Sequence, residues 1–181
     1  MKKKYREKAL AEMFSELQNK DFDIRENAMF QLGLMLERSN QGEQLAEAGD
    51  IYVENLSREM LRMKLDDDEQ NQIIDKLSQV VATHKDSRPT ALWAYGKAKP
   101  QLGIVPLLAL IQATGHQLNT EAAYQACDAL RRWLEAGVAD DEAVSAQLKL
   151  QDPTDVIKRW QESSDDRLAN ASDDVLDLLE A

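Results

Sequence analysis

Apolar residues recur at helical spacing along almost the whole chain. From Tyr5 to Asn19, Leu10, Met13, Phe14 and Leu17 fall at i, i+3, i+4 and i+7, which predicts an amphipathic helix ended by Asn19-Lys20-Asp21. Ile24 to Glu37 is apolar nearly all round, through Ala28, Met29, Phe30, Leu32, Leu34, Met35 and Leu36. Such a helix belongs between neighbours, with Asp21 or Asp23 capping its first N–H groups. Ser39 to Gly49 is polar and reads as a loop holding a short turn of helix. Asp50 then opens a helix to about Lys64, its face formed by Tyr52, Val53, Leu56, Met60, Leu61 and Met63. The run Asp66-Asp67-Asp68-Glu69 starts the next, with Ile73, Ile74, Leu77, Val80 and Val81 inward; carboxylates there meet the unsatisfied N–H groups of a helix start.

The stretch from Asp86 to Ala136 predicts a small-faced helix, an apolar helix and a second small-faced helix. Asp86 or Ser87 caps the first, Pro89 sits in its first turn and Lys99-Pro100 ends it. Pro106 falls near the start of the apolar helix, Thr114-Gly115-His116 makes a turn, and Asn119 or Thr120 caps the helix that runs to Gly137. Beyond it, Asp140 begins a modest helix with Val144, Leu148 and Leu150, and Asp152-Pro153-Thr154-Asp155 starts another with Val156, Ile157 and Trp160. Ser163 to Ser172 is polar and reads as flexible. Ser172 to Glu180 reads as one short acidic helix, marginal unless it docks on its own domain or in a partner's groove.

Two helices share positions. Arg25, Ala28, Met29, Phe30, Leu32 and Gly33 align with Arg88, Ala91, Leu92, Trp93, Tyr95 and Gly96 at an offset of 63 residues. That is about two units of a helical repeat. In a third helix Ala126, Cys127, Ala129 and Leu130 take the equivalent places.

The stretch from Asn19 to Gly33 resembles the turn and second helix of a HEAT repeat, and Gly103-Ile104-Val105-Pro106-Leu107-Leu108 resembles the family's first helix. The likeness covers residues 5–38 and 86–136. It implies an all-α, right-handed superhelical solenoid of about three to four helix pairs, in which Asp21 and Arg25 bond repeat to repeat. Ala123 and Arg131 depart from the arginine and glycine of the pattern, and residues 39–85 lack it. The expected organisation is a HEAT-like domain over 1–137 and an acidic helical tail over 138–181.

Charge narrows the function. The net charge is −11, with +4 on residues 1–8, −7 on 9–136 and −8 on 137–181. So acidic a chain is repelled by phosphate, which argues against nucleic acid, against anionic membranes, and against the DNA glycosylases built on HEAT-like stacks. No uncharged run approaches the ~20 residues of a membrane span. Met1-Lys2-Lys3-Lys4 is not followed by a signal peptide's apolar stretch, and the single Cys127 suits a reducing compartment. A cytoplasmic location is expected.

Candidate chemistry is sparse. His84 and His116 have no metal-ligand spacing, and the carboxylates of 66–69 lack the alternation of a calcium loop. Cys127, among alanines, reads as a buried inert thiol rather than a nucleophile. Asp165-Asp166 and Asp173-Asp174 lie in polar surroundings unsuited to acid–base work. No catalytic set, cofactor or metal is expected. Trp93 and Tyr95, two apart on one helix, cannot both face inward. The expectation is therefore a scaffold that binds a protein partner on a concave face of second helices, with Trp93, Tyr124, Arg131 and Arg132 as contacts. The likeness to bilin-attaching members of the HEAT-like group implies an alternative, a bilin lyase-like or tetrapyrrole-handling factor. Self-association through the C-terminal helix is a third reading.

Overall fold

The structure, a computed structural model, describes residues 2–41 and 64–180. The helix expected from Asp50 lies outside the described residues. Every regular element among the described residues is helical. Contacts divide the chain into two compact units, residues 1–99 and 100–181. Residues 138–180 thus pack with 100–135, and the boundary expected at Gly137 falls inside the second unit.

The first unit contains α1 (Lys2–Glu16), α2 (Phe22–Gln41), α3 (Asp67–Thr83) and α4 (Arg88–Tyr95). Asp21 caps α2, its Oδ1 accepting from the N–H groups of Asp23 at 2.9 Å and Ile24 at 3.3 Å. Asp66 and Glu69 form a reciprocal capping box on α3. The acidic run therefore serves a helix start, and Glu69 also accepts from Arg6 of α1 at 2.6 Å. Neither Asp86 nor Ser87 caps α4 through its side chain. A short 3-10 turn over Lys85–Ser87 precedes the helix, and both side chains are given to Arg25 instead.

Contacts between α2 and α4 keep a near-constant offset. Arg25 meets Asp86, Glu26 meets Thr90, Phe30 meets Trp93 and Glu37 meets Lys97. The two helices therefore run side by side in the same direction, with the repeated positions Phe30 and Trp93 adjacent. Their inner faces are dry: Ala28, Met29, Leu32 and Leu36 are fully buried, as are Ile73, Leu77 and Val80 of α3. Each large aliphatic chain so buried contributes about 1.5–3 kcal/mol relative to exposure. At the far end Asn40 and Gln70 exchange two 3.1 Å hydrogen bonds. Asn40 also donates to the Lys97 carbonyl, and Gln70 accepts from the Lys99 N–H. This clasp ties the end of α2 to the start of α3 and to the turn after α4.

The second unit contains α5 (Pro100–Thr114), α6 (Thr120–Glu135), α7 (Glu142–Leu150), α8 (Thr154–Gln161) and α9 (Asp166–Glu180). Pro100 is the first residue of α5, so Pro106 lies inside the helix rather than near its start. Asn119 caps α6, accepting from Ala122 N–H at 2.9 Å, and Gly137 ends it in the left-handed region at φ 77°. The cap of α7 is Asp141, one residue past the expected start. Leu150, expected inward, is 74% exposed at the last position of α7, while Val144 is buried.

The polar stretch after Ser163 is mostly helical. Asp165 caps α9 by accepting from the N–H groups of Arg167 and Leu168 at 3.0 and 3.1 Å, which holds its carboxyl below the usual range. Leu168, Ala171, Ser172, Val175 and Leu176 are buried. Glu121 and Tyr124 meet Arg167, Cys127 meets Ser172, and Arg131 approaches Asp174, so α9 runs along α6 in the same direction.

All three tryptophans pack on a glycine. A Cβ at Gly33 would lie 2.5 Å from Trp93 Cζ3, and one at Gly103 would lie 2.5 Å from Trp133 Cη2. One at Gly115 would meet Val156 at 2.6 Å and Trp160 at 3.4 Å. The missing side chain in each case makes room for the ring or for the helix that carries it.

Candidate functional site

The four residues expected to contact a partner fall in different settings. Trp93 belongs to the first unit; Tyr124, Arg131 and Arg132 share α6 of the second.

On α2 and α4 the site is built around an aromatic pair. The Trp93 ring packs on α2 at Gly33, where Cζ3 occupies the space a side chain would take, and the rings of Phe30 and Trp93 stack with centroids 5.2 Å apart and 11° between planes. Trp93 is half-buried, whereas Phe30 is 37% exposed. Tyr95, two residues on, is fully buried, and burial pushes its hydroxyl pKa up. One of the two aromatics thus faces outward, as their spacing requires.

Cations line this row. Lys97 Nζ sits 5.2 Å from the Trp93 ring centroid and 2.6 Å from Glu37, and the Arg25 guanidinium lies 5.9 Å from the Phe22 ring. Arg25 is almost wholly buried. It donates to Asp86 at 2.7 Å, to Ser87 at 3.3 Å, and to the carbonyls of Asn19 and Lys20 at 2.8 and 3.0 Å. These bonds fix where α4 begins relative to α2 and hence the register of the stack above. Between them Thr90 donates to Glu26, whose buried Oε1 accepts no hydrogen bond among the described residues. Composition hides Phe30 because it sits in an apolar run; the signal that finds it is its alignment with Trp93.

On α6 the expected contacts are engaged within the chain. Arg131 donates to Asp128 at 2.9 Å and Glu135 at 2.8 Å and lies 4.0 Å from Asp174. Arg132 pairs with Asp128 at 3.0 Å. The Arg167 guanidinium lies over the Tyr124 ring at 5.0 Å and donates to Glu121 at 3.1 Å. The pair of arginines is thus neutralised on its own helix.

The remaining chemical candidates have structural surroundings. Cys127 is fully buried, 3.7 Å from the Ser172 hydroxyl, and burial pushes its thiol up to about 12. A thiol so placed holds almost no thiolate near neutrality. His84 is the C-cap residue of α3, and His116 is exposed beside Gln117. No group of three potential metal ligands occurs among the described residues, and none of their helices is long and apolar enough to cross a membrane. A recess of about 240 Å³ lies between α1 and the start of α3, lined by Lys3, Glu7, Leu10, Phe14 and the capping carboxylates. It offers no nucleophile paired with a base.

No protein-family model, curated protein or solved structure matches the chain.

Proposed function

We propose that the chain is a non-enzymatic protein-interaction module, built of HEAT-like helix pairs stacked as a solenoid, that holds a protein partner against its second helices. The observation that carries this reading is the Phe30–Trp93 stack, an aromatic pair left partly open to solvent on two helices fixed in register by buried polar bonds. Rigid aromatic surface is what binding hot spots use, since it removes much area from water at little cost in side-chain entropy. Two features support the HEAT-like part: α2 and α4 lie in parallel at the offset of the sequence repeat, and Arg25 bonds to Asp86 before the next second helix. Trp93 is the central contact. Tyr124, Arg131 and Arg132 carry a smaller share, because a partner would have to displace their intramolecular pairs.

The test is affinity capture from native lysate with the wild-type chain and with Phe30→Ala and Tyr5→Ala, followed by mass spectrometry. Tyr5 is a control, 65% exposed on α1, a helix that carries neither stacked ring. A stoichiometric protein lost with Phe30→Ala and kept with Tyr5→Ala is the expected result. A captured protein kept equally by all three overturns the placement of the surface.

A further inference from the structure

The row around Phe30 selects a partner by charge as well as by shape. Four carboxylates flank it, on Asp23, Glu26, Glu37 and Asp86, and its two cations are spoken for. Arg25 is bound to Asp86 and Lys97 to Glu37. Among the described residues that leaves Asp23 exposed and without an ion pair, and Glu26 held only by the Thr90 hydroxyl, its other oxygen buried without a donor. Two of the three aromatic rings along the row, Phe22 and Trp93, already carry a cation of the chain itself. The third, Phe30, carries none among the described residues and is 37% exposed; Phe22 beside Arg25 is also open, at 44%. A ring face beside uncompensated carboxylates attracts a cation twice, through its quadrupole and through the local field.

We propose that this seam binds an arginine-bearing segment of a partner protein, the guanidinium laid on Phe30 one turn from Glu26 and in the field of Asp23 two turns along α2, and an adjacent aliphatic side chain against Trp93. The proposal rests on the protein-interaction reading above and names the chemistry of its partner. Arginine fits better than lysine, because a planar guanidinium stacks on a ring while its edge donates to a carboxylate.

The experiment titrates the full chain with a short leucine–arginine peptide, its glutamine-for-arginine analogue and its glutamate-for-arginine analogue. It follows the Trp93 indole N–H by NMR, assigned with Trp93→Phe. The arginine peptide is expected to bind on the order of tenfold tighter than the glutamine analogue. The preference should weaken with salt and be lost in Phe30→Ala, with Asp23→Asn giving part of that loss. Equal binding of arginine and glutamine peptides, or tighter binding of the glutamate peptide, overturns the basic chemistry. So does a preference for arginine that survives Phe30→Ala. A lysate partner still lost with Phe30→Ala would in those cases leave the interaction surface standing; a partner retained would remove both.

Discussion

Replacing Gly33 by alanine tests the packing that holds the aromatic surface. In the middle of a helix, alanine is favoured over glycine by about 1 kcal/mol. Here the new Cβ would stand 2.5 Å from Trp93 Cζ3 and 3.1 Å from both Cα and Cβ of Ala94. The ring has to lift from α2, because a carbon–carbon contact of that length is not sustained. Lifting it strains a packed interface at about 1–3 kcal/mol and forfeits the stack on Phe30, worth about 0.5–1.5 kcal/mol. The sum favours loss over gain, so Gly33→Ala should destabilise by about 1–2 kcal/mol, lowering Tm by about 2–4 °C per kcal/mol for a chain of this length. In a Trp93→Ala background the closest contact is gone and only the Ala94 contacts remain. The same substitution should there be neutral within about 0.5 kcal/mol. The assay is urea unfolding of the four proteins of the cycle, followed by circular dichroism. Gly33→Ala costing the same in both backgrounds, or stabilising the native chain, would refute the reasoning.

Other outcomes follow from the same geometry. Gly103→Ala should cost more than Gly33→Ala, about 2–3 kcal/mol, because three ring atoms of the enclosed Trp133 lie within 3.2 Å of the new carbon; denaturant midpoints decide the order. Arg25→Ala should cost about 2–4 kcal/mol, since it leaves two carbonyls and Ser87 without their donor. Asp86→Asn should cost less, because Asp86 is 57% exposed; the reverse order in thermal melts would contradict the network. Cys127 should resist iodoacetamide at pH 8 in the native chain and react once unfolded, as mass spectrometry can show. With its folded pKa raised, the native state holds the proton longer than the unfolded one. Stability should therefore fall as pH rises above the ordinary thiol value, by at most about 1.4 kcal/mol per unit, and Cys127→Ala should remove that part of the slope between pH 9 and 10.

The helix faces were legible because the core of each helix repeats every three or four residues, as Leu10, Met13 and Leu17 or Ile73, Ile74 and Leu77 do. The 63-residue alignment gave more than a repeat, since it paired Phe30 with Trp93, which the structure stacks. Hydrophobicity alone could not say that Phe30, inside an apolar run, is the exposed member. The stretch from Ser163 to Ser172 reads as flexible because Leu168 is its one large apolar residue, and the other two residues it buries are Ala171 and Ser172. Ser172 tolerates burial against Cys127 because its hydroxyl donates to the Leu168 carbonyl at 2.8 Å. Arg131 and Arg132 stood out as a basic pair, yet Asp128 and Glu135, three and four residues away, mark them as paired on their own helix. Asp86 and Ser87 have the sequence of local caps; their use by Arg25 is a contact across 61 and 62 residues, which no local pattern reveals.

The most direct test of the central claim is the affinity of the captured partner for the wild-type chain and for Phe30→Ala, Trp93→Ala and the control Tyr5→Ala, measured by titration calorimetry on folded proteins. The account predicts that each of the first two weakens binding by about tenfold or more, as truncating an aromatic anchor does, while Tyr5→Ala leaves it unchanged. Full affinity in both Phe30→Ala and Trp93→Ala would contradict it.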